Sequence, residues 1–544
     1  MSPAPGAEAG GAAAPGERAR RLLLAGGALL FLVPMLRTAA ALPAALGGDA
    51  SIGDLAIIEL GTIEAAAGHR LLGQVTRFGF HQPGPAMFYL LAPFHAASGG
   101  ERWALSLATL VLGWGLLLAG AYALTRWSEP YLGLIAVSPV LILFLDYVDA
   151  MPLFNYWNAH LIILPAALLP LVAARAALGS AAAWPALVAL ASWLAQTYSS
   201  PTPAAGAVLG LALALFVVRR RSAASTRRRA LAAAVASVLV ATLAWGPVLY
   251  EEMTREPGNL KLMARSMLAP GPRQLPAPAA ALDAVARELA SPWLVRSAGA
   301  TYYQPLAAGH RGMARAAAAL WAGLLLGAAV VACRRRQAHA ATVCVFALVM
   351  AGATFLAALR LEGGLHPHAF MWLGAPAAVG WGLAAAVLLD PLVERAAAHR
   401  TLAWLRRREI AFAAVAVSLA VWLSLRPLAA PRLGDATLDS LAGRVLEHAA
   451  ARGCGELPVH LVSHGLDQWW VSGLLVRLWA RGAPAALVNL AAAGPYWEAR
   501  GRGCELHFSI SETPPAGLER LSCHAVQPLA PDTGTLCVFA PAAP

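Results

Sequence analysis

Charge is scarce in this chain. Of 544 residues only 13% are Asp, Glu, Lys or Arg, against 59% hydrophobic. A water-soluble fold cannot cover so much apolar side chain, so a soluble enzyme or binding module is excluded. Lysine is nearly absent, and the net charge of +12 rests on arginine. A nucleic-acid surface would collect those arginines in one patch. They fall instead in short loops between apolar runs, as the positive-inside rule expects of a membrane protein, and nucleic acid is excluded as a partner. Nucleotide motifs are missing as well. The sequence holds neither a Walker loop nor a GxGxxG turn, which leaves ATP-driven transport and cytoplasmic nucleotide-sugar chemistry without support. Its six cysteines form no CxxC pair and no Cys/His zinc spacing.

What the chain does have is apolar runs of about 18–22 residues, the length that crosses a bilayer core as helix. The first covers 22–42. Further runs fall near 103–125, 129–147, 157–175, 181–199, 202–218, 230–249, 314–333, 340–359, 369–390 and 409–426, which makes about eleven spans. Residues 1–21 read as a disordered cytoplasmic tail. Arg18, Arg20 and Arg21 hold the N-terminus inside, and the first run is a retained helix, since many spans follow it. Arg126, Arg175, Arg219–Arg221, Arg227–Arg229, Arg334–Arg336 and Arg406–Arg408 then all fall inside. Residues 86–97 are apolar but short, with Pro93 within, and read as a helix lying on the outer leaflet. Counting them as a span would throw every later arginine cluster outside.

The expected architecture is an all-α polytopic membrane bundle over 22–426, with outer loops at 43–102 and 250–313. A small extracytoplasmic α/β domain follows at 427–544. That domain shows candidate strands at 458–463, 485–490, 505–510 and 535–540, with helical patterns at 437–452 and 467–481 between them. Four cysteines lie there. An even number in an exported domain suggests disulfides, paired as Cys523 with Cys537 and Cys454 with Cys504. Cys333 and Cys344, at the inner ends of helices, read as free thiols. Richness in alanine and arginine fits a GC-rich bacterial genome, and so a bacterial inner membrane.

Polar residues gather at the outward ends. Asp54, in SIGDLAIIEL, has two readings: a helix N-cap, or a general base at the mouth of the bundle. Glu59 lies five residues on, about 140° away around a helix, and could flank the same cavity. His81, in HQPGP, either caps the bend before the surface helix or touches a phosphate or acceptor. Asp146 and Asp149 close one span, and FNYWNAH follows. Asn155, Asn158 and His160 there, with Gln196 and Tyr198 in LAQTYSSP, either line a polar cavity or bond helix to helix. RLEGGLHPH places Arg360 at an outward end, where an anion such as a lipid phosphate suits it. His366 and His368 flank one proline, a weak metal signal.

GDLAIIEL at the start of the first outer loop, followed by FGFHQPGPAMFYLLAPF, resembles the GT-C superfamily of membrane glycosyltransferases. The second segment is similar to the His/Pro-rich surface segment in relatives of protein mannosyl- and aminoarabinose-transferases. The likeness covers 51–94 in motif and roughly 20–430 in architecture. It implies inverting transfer of a sugar from a polyprenyl-phosphate donor to an extracytoplasmic glycan, lipid or protein acceptor. Asp54 takes the base role, and Glu59, His81, Asn155, Asn158, Gln196, Tyr198, Arg360, His366 and His368 stand as catalytic or substrate-binding candidates. The adjacent acidic pair of some relatives is absent, since Glu59 is displaced. No cofactor is therefore assigned, and a divalent metal stays open. The C-terminal domain is similar to exported domains of some mycobacterial arabinosyltransferases. Membrane lipids are the other expected partners. Three rivals remain: a secondary transporter, which would place charge near the midplane and show repeated halves, a lipid-linked glycan ligase or polymerase, which uses the same face, and a non-catalytic scaffold presenting the C-terminal domain.

Overall fold

A computed structural model describes residues 25, 32, 35–40, 50–51, 53–76, 78–127, 140–146, 148, 151–220, 227–268, 275–290, 306–361, 364–396, 419, 434–435, 437–452, 458–463, 468–483, 485–488, 504–509, 515–525 and 535–541. Two short helices come first, α1 (Gly53–Ala66) and α2 (Ala86–Ala97). The bundle follows with α3 (Trp103–Trp127), α4 (Asn158–Leu161), α5 (Ile163–Ala177), α6 (Ala183–Thr197), α7 (Thr202–Arg220) and α8 (Arg227–Thr254). It continues with α9 (Asn259–Leu268), α10 (Pro278–Ala290), α11 (Ala308–Arg334), α12 (Ala338–Ala358) and α13 (Gly374–Ala396).

Among the described residues, seven segments are long and apolar enough to cross a membrane: α3, α4 with α5, α7, α8, α11, α12 and the run from Met371 into α13. They match seven of the expected spans. The run expected at 181–199 is α6, 15 residues long. At 1.5 Å per residue that is about 22 Å, short of a bilayer core of roughly 30 Å. The runs at 22–42 and 129–147 are helical at 35–40 and 140–146, and the one at 409–426 falls outside the described residues apart from Leu419.

The segment Asn158–Ala177 is 94% buried and forms the axis of the bundle, while Arg228–Thr254 is 6% buried and turns an apolar surface outward. The axial sequence is apolar on every side, as a surrounded helix must be. Pro165 within it has no N–H for the carbonyl of Leu161, four residues back. The indole of Trp193 donates to that carbonyl instead, at 3.1 Å.

The C-terminal unit contains α14 (Thr437–Ala451), α15 (Gln468–Ala480) and five strands: β3 (Val459–Ser463), β4 (Ala485–Val488), β5 (Cys504–Ser509), β6 (Leu518–Ala525) and β7 (Thr535–Pro541). The sheet order is β4-β3-β5-β7-β6, parallel through β4, β3 and β5 and antiparallel at β7 and β6. Four strands lie where the sequence puts them. β6 was not expected there: Glu519 and Arg520 break its alternation, and the register shifts between Arg520 and Ser522. An edge strand tolerates both. Cys523 and Cys537 are bonded and Cys504 is disulfide-bonded, while Cys454 lies outside the described residues. Cys333 and Cys344 are free.

Helix α1 joins the two halves. Ala56, Leu60 and Ile63, at i, i+4 and i+7, pack with Leu438, Trp470 and Leu474 of the C-terminal core. Ile58 and Ala65 lie on its other side against Met87, Phe88, Leu91 and Tyr156. Gly61 lets α2 approach, since a Cβ there would stand 2.5 Å from the Phe88 ring. Two residues just before α1, Ala50–Ser51 (β1), pair antiparallel with Gly434–Asp435 (β2).

Candidate active site

Asp54 lies in the first turn of α1, which begins at Gly53 in a left-handed conformation (φ 56°) that favours glycine. Asp54 is thus inside the helix and not its cap. Its partners come from far away in sequence. Trp157 Nε1 donates to Asp54 Oδ2 at 2.9 Å. Burial raises the Asp54 carboxyl above the usual carboxylate range, against the opposing pull of Trp157 and, more weakly, of the Gln74 side chain.

Three groups of residues deliver those contacts. The first is a tight loop over 73–82, closed by backbone bonds from Gly73 N to Gln82 O, Gln82 N to Gln74 O and Thr76 N to Phe80 O. Arg70 fixes its base. The guanidinium pairs with Glu64 at 2.9 Å, donates to the carbonyls of Leu72 and Gly73 at 2.7 Å each, and lies 4.6 Å over the Phe88 ring. Burial raises the Glu64 carboxyl while Arg70 lowers it. Asn259 holds the other side of the loop through both backbone groups of His81, at 2.8 and 3.1 Å. Asn259 N is in turn accepted by the buried Glu251 at 3.0 Å.

The second group presents Trp157. Asn155 Oδ1 accepts the Trp157 backbone N–H at 2.9 Å. Asn158 bonds the carbonyl of Thr197 at 3.3 Å, tying the start of α4 to the end of α6. The third is the turn before α13. His366 and His368 stack with centroids 5.3 Å apart, and His368 lies 5.6 Å from the Trp157 ring. Ser200 anchors this turn, donating to Ala369 O at 2.6 Å and accepting from Trp372 Nε1 at 2.9 Å.

The structure therefore brings Asp54, Asn155, His366 and His368 together around Trp157. Asn158 and Gln196 brace the surrounding helices. Gln196 donates to Ala244 O at 2.8 Å and packs on Gly84, where any Cβ would overlap it. Tyr198, half-buried, ends α6. His81 sits on the loop rather than against the carboxylate. Its Nδ1 faces the carbonyl of Gly73 at 3.1 Å, and burial with the nearby Arg70 pushes its pKa down to about 4. The ring is neutral at pH 7 and offers Nε2 as an acceptor, not a positive charge. Glu59 is buried and faces His95 of α2 at 3.7 Å. Arg360 is exposed at the end of α12, and no contact joins it to Asp54. Glu362 and Asp149 lie outside the described residues.

Trp157, Gln74, Arg70 and Asn259 are the members that sequence reasoning missed. Trp157 looks like an interfacial belt aromatic, and only the indole bond to a residue 103 positions away marks it. A further buried charged pair, Arg287 and Glu288 on α10, sits inside the bundle. Among the described residues no group of three or more His, Cys, Asp or Glu could hold a metal ion.

The continuous run of α4 and α5 carries the polar cluster at its start and Arg175 at its far end. The cluster sits where α4 begins, α6 ends and α13 begins. Arg219, Arg228 and Arg334 sit at ends of α7, α8 and α11.

No family model and no curated protein matches the sequence. Among solved structures the chain is similar to ArnT from Cupriavidus metallidurans bound to undecaprenyl phosphate, at 14% identity over 97% of this chain and 99% of that one, with a TM-score of 0.49. It is also similar to the archaeal oligosaccharyltransferase AglB from Archaeoglobus fulgidus in complex with an inhibitory peptide and a dolichol-phosphate, at 12% identity over 88% of this chain and 65% of that one, with a TM-score of 0.46. A third is the arabinofuranosyltransferase AftD from Mycobacteria, at 15% identity over 96% of this chain and 40% of that one, with a TM-score of 0.37. Likeness at these scores assigns no activity to this chain.

Proposed function

We propose that this chain is a membrane glycosyltransferase that moves a sugar from a polyprenyl-phosphate donor to an acceptor outside the cytoplasm, with inversion. The observation that carries the reading is Asp54. Its carboxylate stands at the mouth of a helical bundle, is held by Trp157, and is raised by burial above the usual carboxylate range. A base there can take a hydroxyl proton at working pH. The resemblance of GDLAIIEL and FGFHQPGPAMFYLLAPF to the GT-C first loop supports the same role.

In the proposed step Asp54 accepts the proton of the acceptor hydroxyl as its oxygen bonds to the anomeric carbon. The bond from that carbon to the phosphate oxygen breaks on the opposite face, and polyprenyl phosphate leaves with the electron pair. One displacement inverts the centre. His81 Nε2 and the His366–His368 turn line the approach as hydrogen-bonding groups, and Arg360 meets phosphate at the lipid surface. The N-terminus lies in the cytoplasm, and the site and the 427–544 domain lie outside a bacterial inner membrane, because the arginine-bearing ends belong inside.

The test is transfer by purified protein in detergent. Wild type should consume a polyprenyl-phosphate sugar and release polyprenyl phosphate in the presence of acceptor, and Asp54→Asn should not. Wild-type protein that leaves every such donor intact, yet exchanges solute across proteoliposomes, would move the chain to the transporters.

A further inference from the structure

We propose that α9 is a lipid-docking helix: Lys261 and Arg265 on its exposed face take the anionic head groups of the surrounding bilayer, and Leu268 enters the acyl layer beneath them. The inference concerns a surface outside the candidate active site and stands apart from the transferase reading.

The sequence of α9, NLKLMARSML, puts Lys261, Ala264, Arg265 and Leu268 at i, i+3, i+4 and i+7, so they share one face. All four are exposed, Leu268 to 79%. Asn259, Leu260, Leu262, Met263 and Ser266 are buried or half-buried. A face that carries two cations beside an exposed leucine suits neither bulk water nor hydrocarbon. It suits the boundary between them, where Lys and Arg stems lie along apolar surface and their charges reach the phosphates. With ten residues, about 15 Å in length, α9 is too short to span a bilayer.

The helix before it shows what covers this face. The spanning segment of α8 is only 6% buried. Leu239, Leu243, Leu249, Tyr250 and Met253 are exposed along α8, as far as its last turn. Lipid that covers α8 therefore reaches the corner where α9 starts. That corner is tightly tied. Gly258 passes so close to α8 that a Cβ there would overlap Glu252. Glu251 accepts Asn259 N at 3.0 Å, and Glu252 accepts Leu260 N at 2.8 Å. These two carboxylates satisfy amides of the first turn, which leaves the cationic face to meet lipid anions.

The other charges at the corner are Arg255 and Glu256, both exposed. Glu256 accepts from Lys261 at 2.8 Å. An ion pair between exposed side chains is worth little, and it yields to a lipid phosphate. From the same corner Asn259 holds both backbone groups of His81. The loop over 73–82 is thereby fixed relative to the head-group layer.

Full-length protein in lipid vesicles tests this. An NBD probe on Leu268→Cys, in a background with Cys333→Ser and Cys344→Ala, reports the surroundings of the last turn of α9. Nitroxide-labelled phosphatidylcholine and phosphatidylglycerol are compared as quenchers. Both should quench, and aqueous iodide should quench less than it does for a probe on Ala516→Cys, in an exposed turn of the C-terminal unit. Phosphatidylglycerol should be preferred about fivefold or more, the scale for one cation near an anionic surface. Lys261→Gln with Arg265→Gln should abolish the preference, and Lys261→Arg with Arg265→Lys should keep it. A probe at 268 open to iodide and blind to both lipids would put α9 in water. A probe shielded from iodide and lipid alike would put protein, such as a second copy of this chain, on the face. Either result overturns the proposal, as does a phosphatidylglycerol preference that survives the double glutamine variant.

Discussion

Trp157 Nε1 lies 2.9 Å from Asp54 Oδ2, a bond between the first turn of α1 and the approach to the axial helix. It makes the state of the carboxylate depend on how the bundle is packed. Trp157→Phe keeps a ring against His368 but gives up the N–H. We expect sugar transfer near pH 6 to fall about tenfold, with recovery as the pH is raised, because the ionised base has lost a donor. A pH profile of initial rates checks this, and a uniform loss across pH would contradict it.

Asp54→Asn should separate activity from stability. The amide oxygen can still accept from Trp157, so the packing survives. The Asp54 carboxyl is raised above its ordinary value of 3.8. Its stabilising contribution is therefore present below that value and lost as pH rises through the higher folded one. At pH 7 the variant should melt no lower than wild type, while turnover falls roughly 10²–10⁴-fold. Melting curves and initial rates on one preparation check both halves.

His81 shifts the other way. Its folded value, about 4, lies below the ordinary 6.5. The contribution is present above 6.5 and is lost as pH falls toward 4, because the unfolded chain binds the proton first. Wild type should lose melting temperature across that window, and His81→Asn should lose less. Parallel curves for the two proteins would show that His81 is not a source of the acid sensitivity.

Arg360 tests the phosphate contact. Arg360→Ala should raise the donor concentration needed for half-maximal rate by about tenfold, the worth of one charge-assisted hydrogen bond. Arg360→Lys should restore it in part, since the two-pronged fork is lost. Its exposed position predicts an unchanged melting temperature for both. Unchanged donor dependence would leave Arg360 a contact for ordinary lipid head groups.

The cysteines give a chemical check on the C-terminal unit. A thiol count on denatured, unreduced protein should find two groups, Cys333 and Cys344. Cys523→Ser should destabilise the β6–β7 pair by about 3 kcal/mol, the scale for closing a loop with a sequence separation of 14. A count of six would remove the disulfides and, with them, one support for an extracytoplasmic domain.

Much of the fold was legible because its signals are local. Length and hydropathy gave about eleven spans, seven of which have a counterpart among the described residues, and Pro93 within a short apolar run gave α2. Alternating apolar residues gave β3, β4, β5 and β7. β6 escaped because Glu519, Arg520 and a register shift blur the period of two. The site was half legible. Asp54 stands out as an acid at the start of the first outer loop, and HPH as a pair of rings. Asn155 and Asn158 were marked as polar groups needing partners, and those partners are the Trp157 backbone and the Thr197 carbonyl. The bond from Trp157 and the pull of Gln74 depend on chain crossings that composition and periodicity do not encode.

Helix α1, about four turns long, has no face of its own. One side completes the core of the C-terminal unit and the other completes the floor of the bundle. A chain cut before residue 434 would leave Ala56, Leu60 and Ile63 facing water on the very rod that carries Asp54. The two units should therefore unfold in a single step and resist separation by proteolysis or by recombination of gene segments. A molecule gripping the C-terminal sheet would likewise have a stiff mechanical route to the carboxylate.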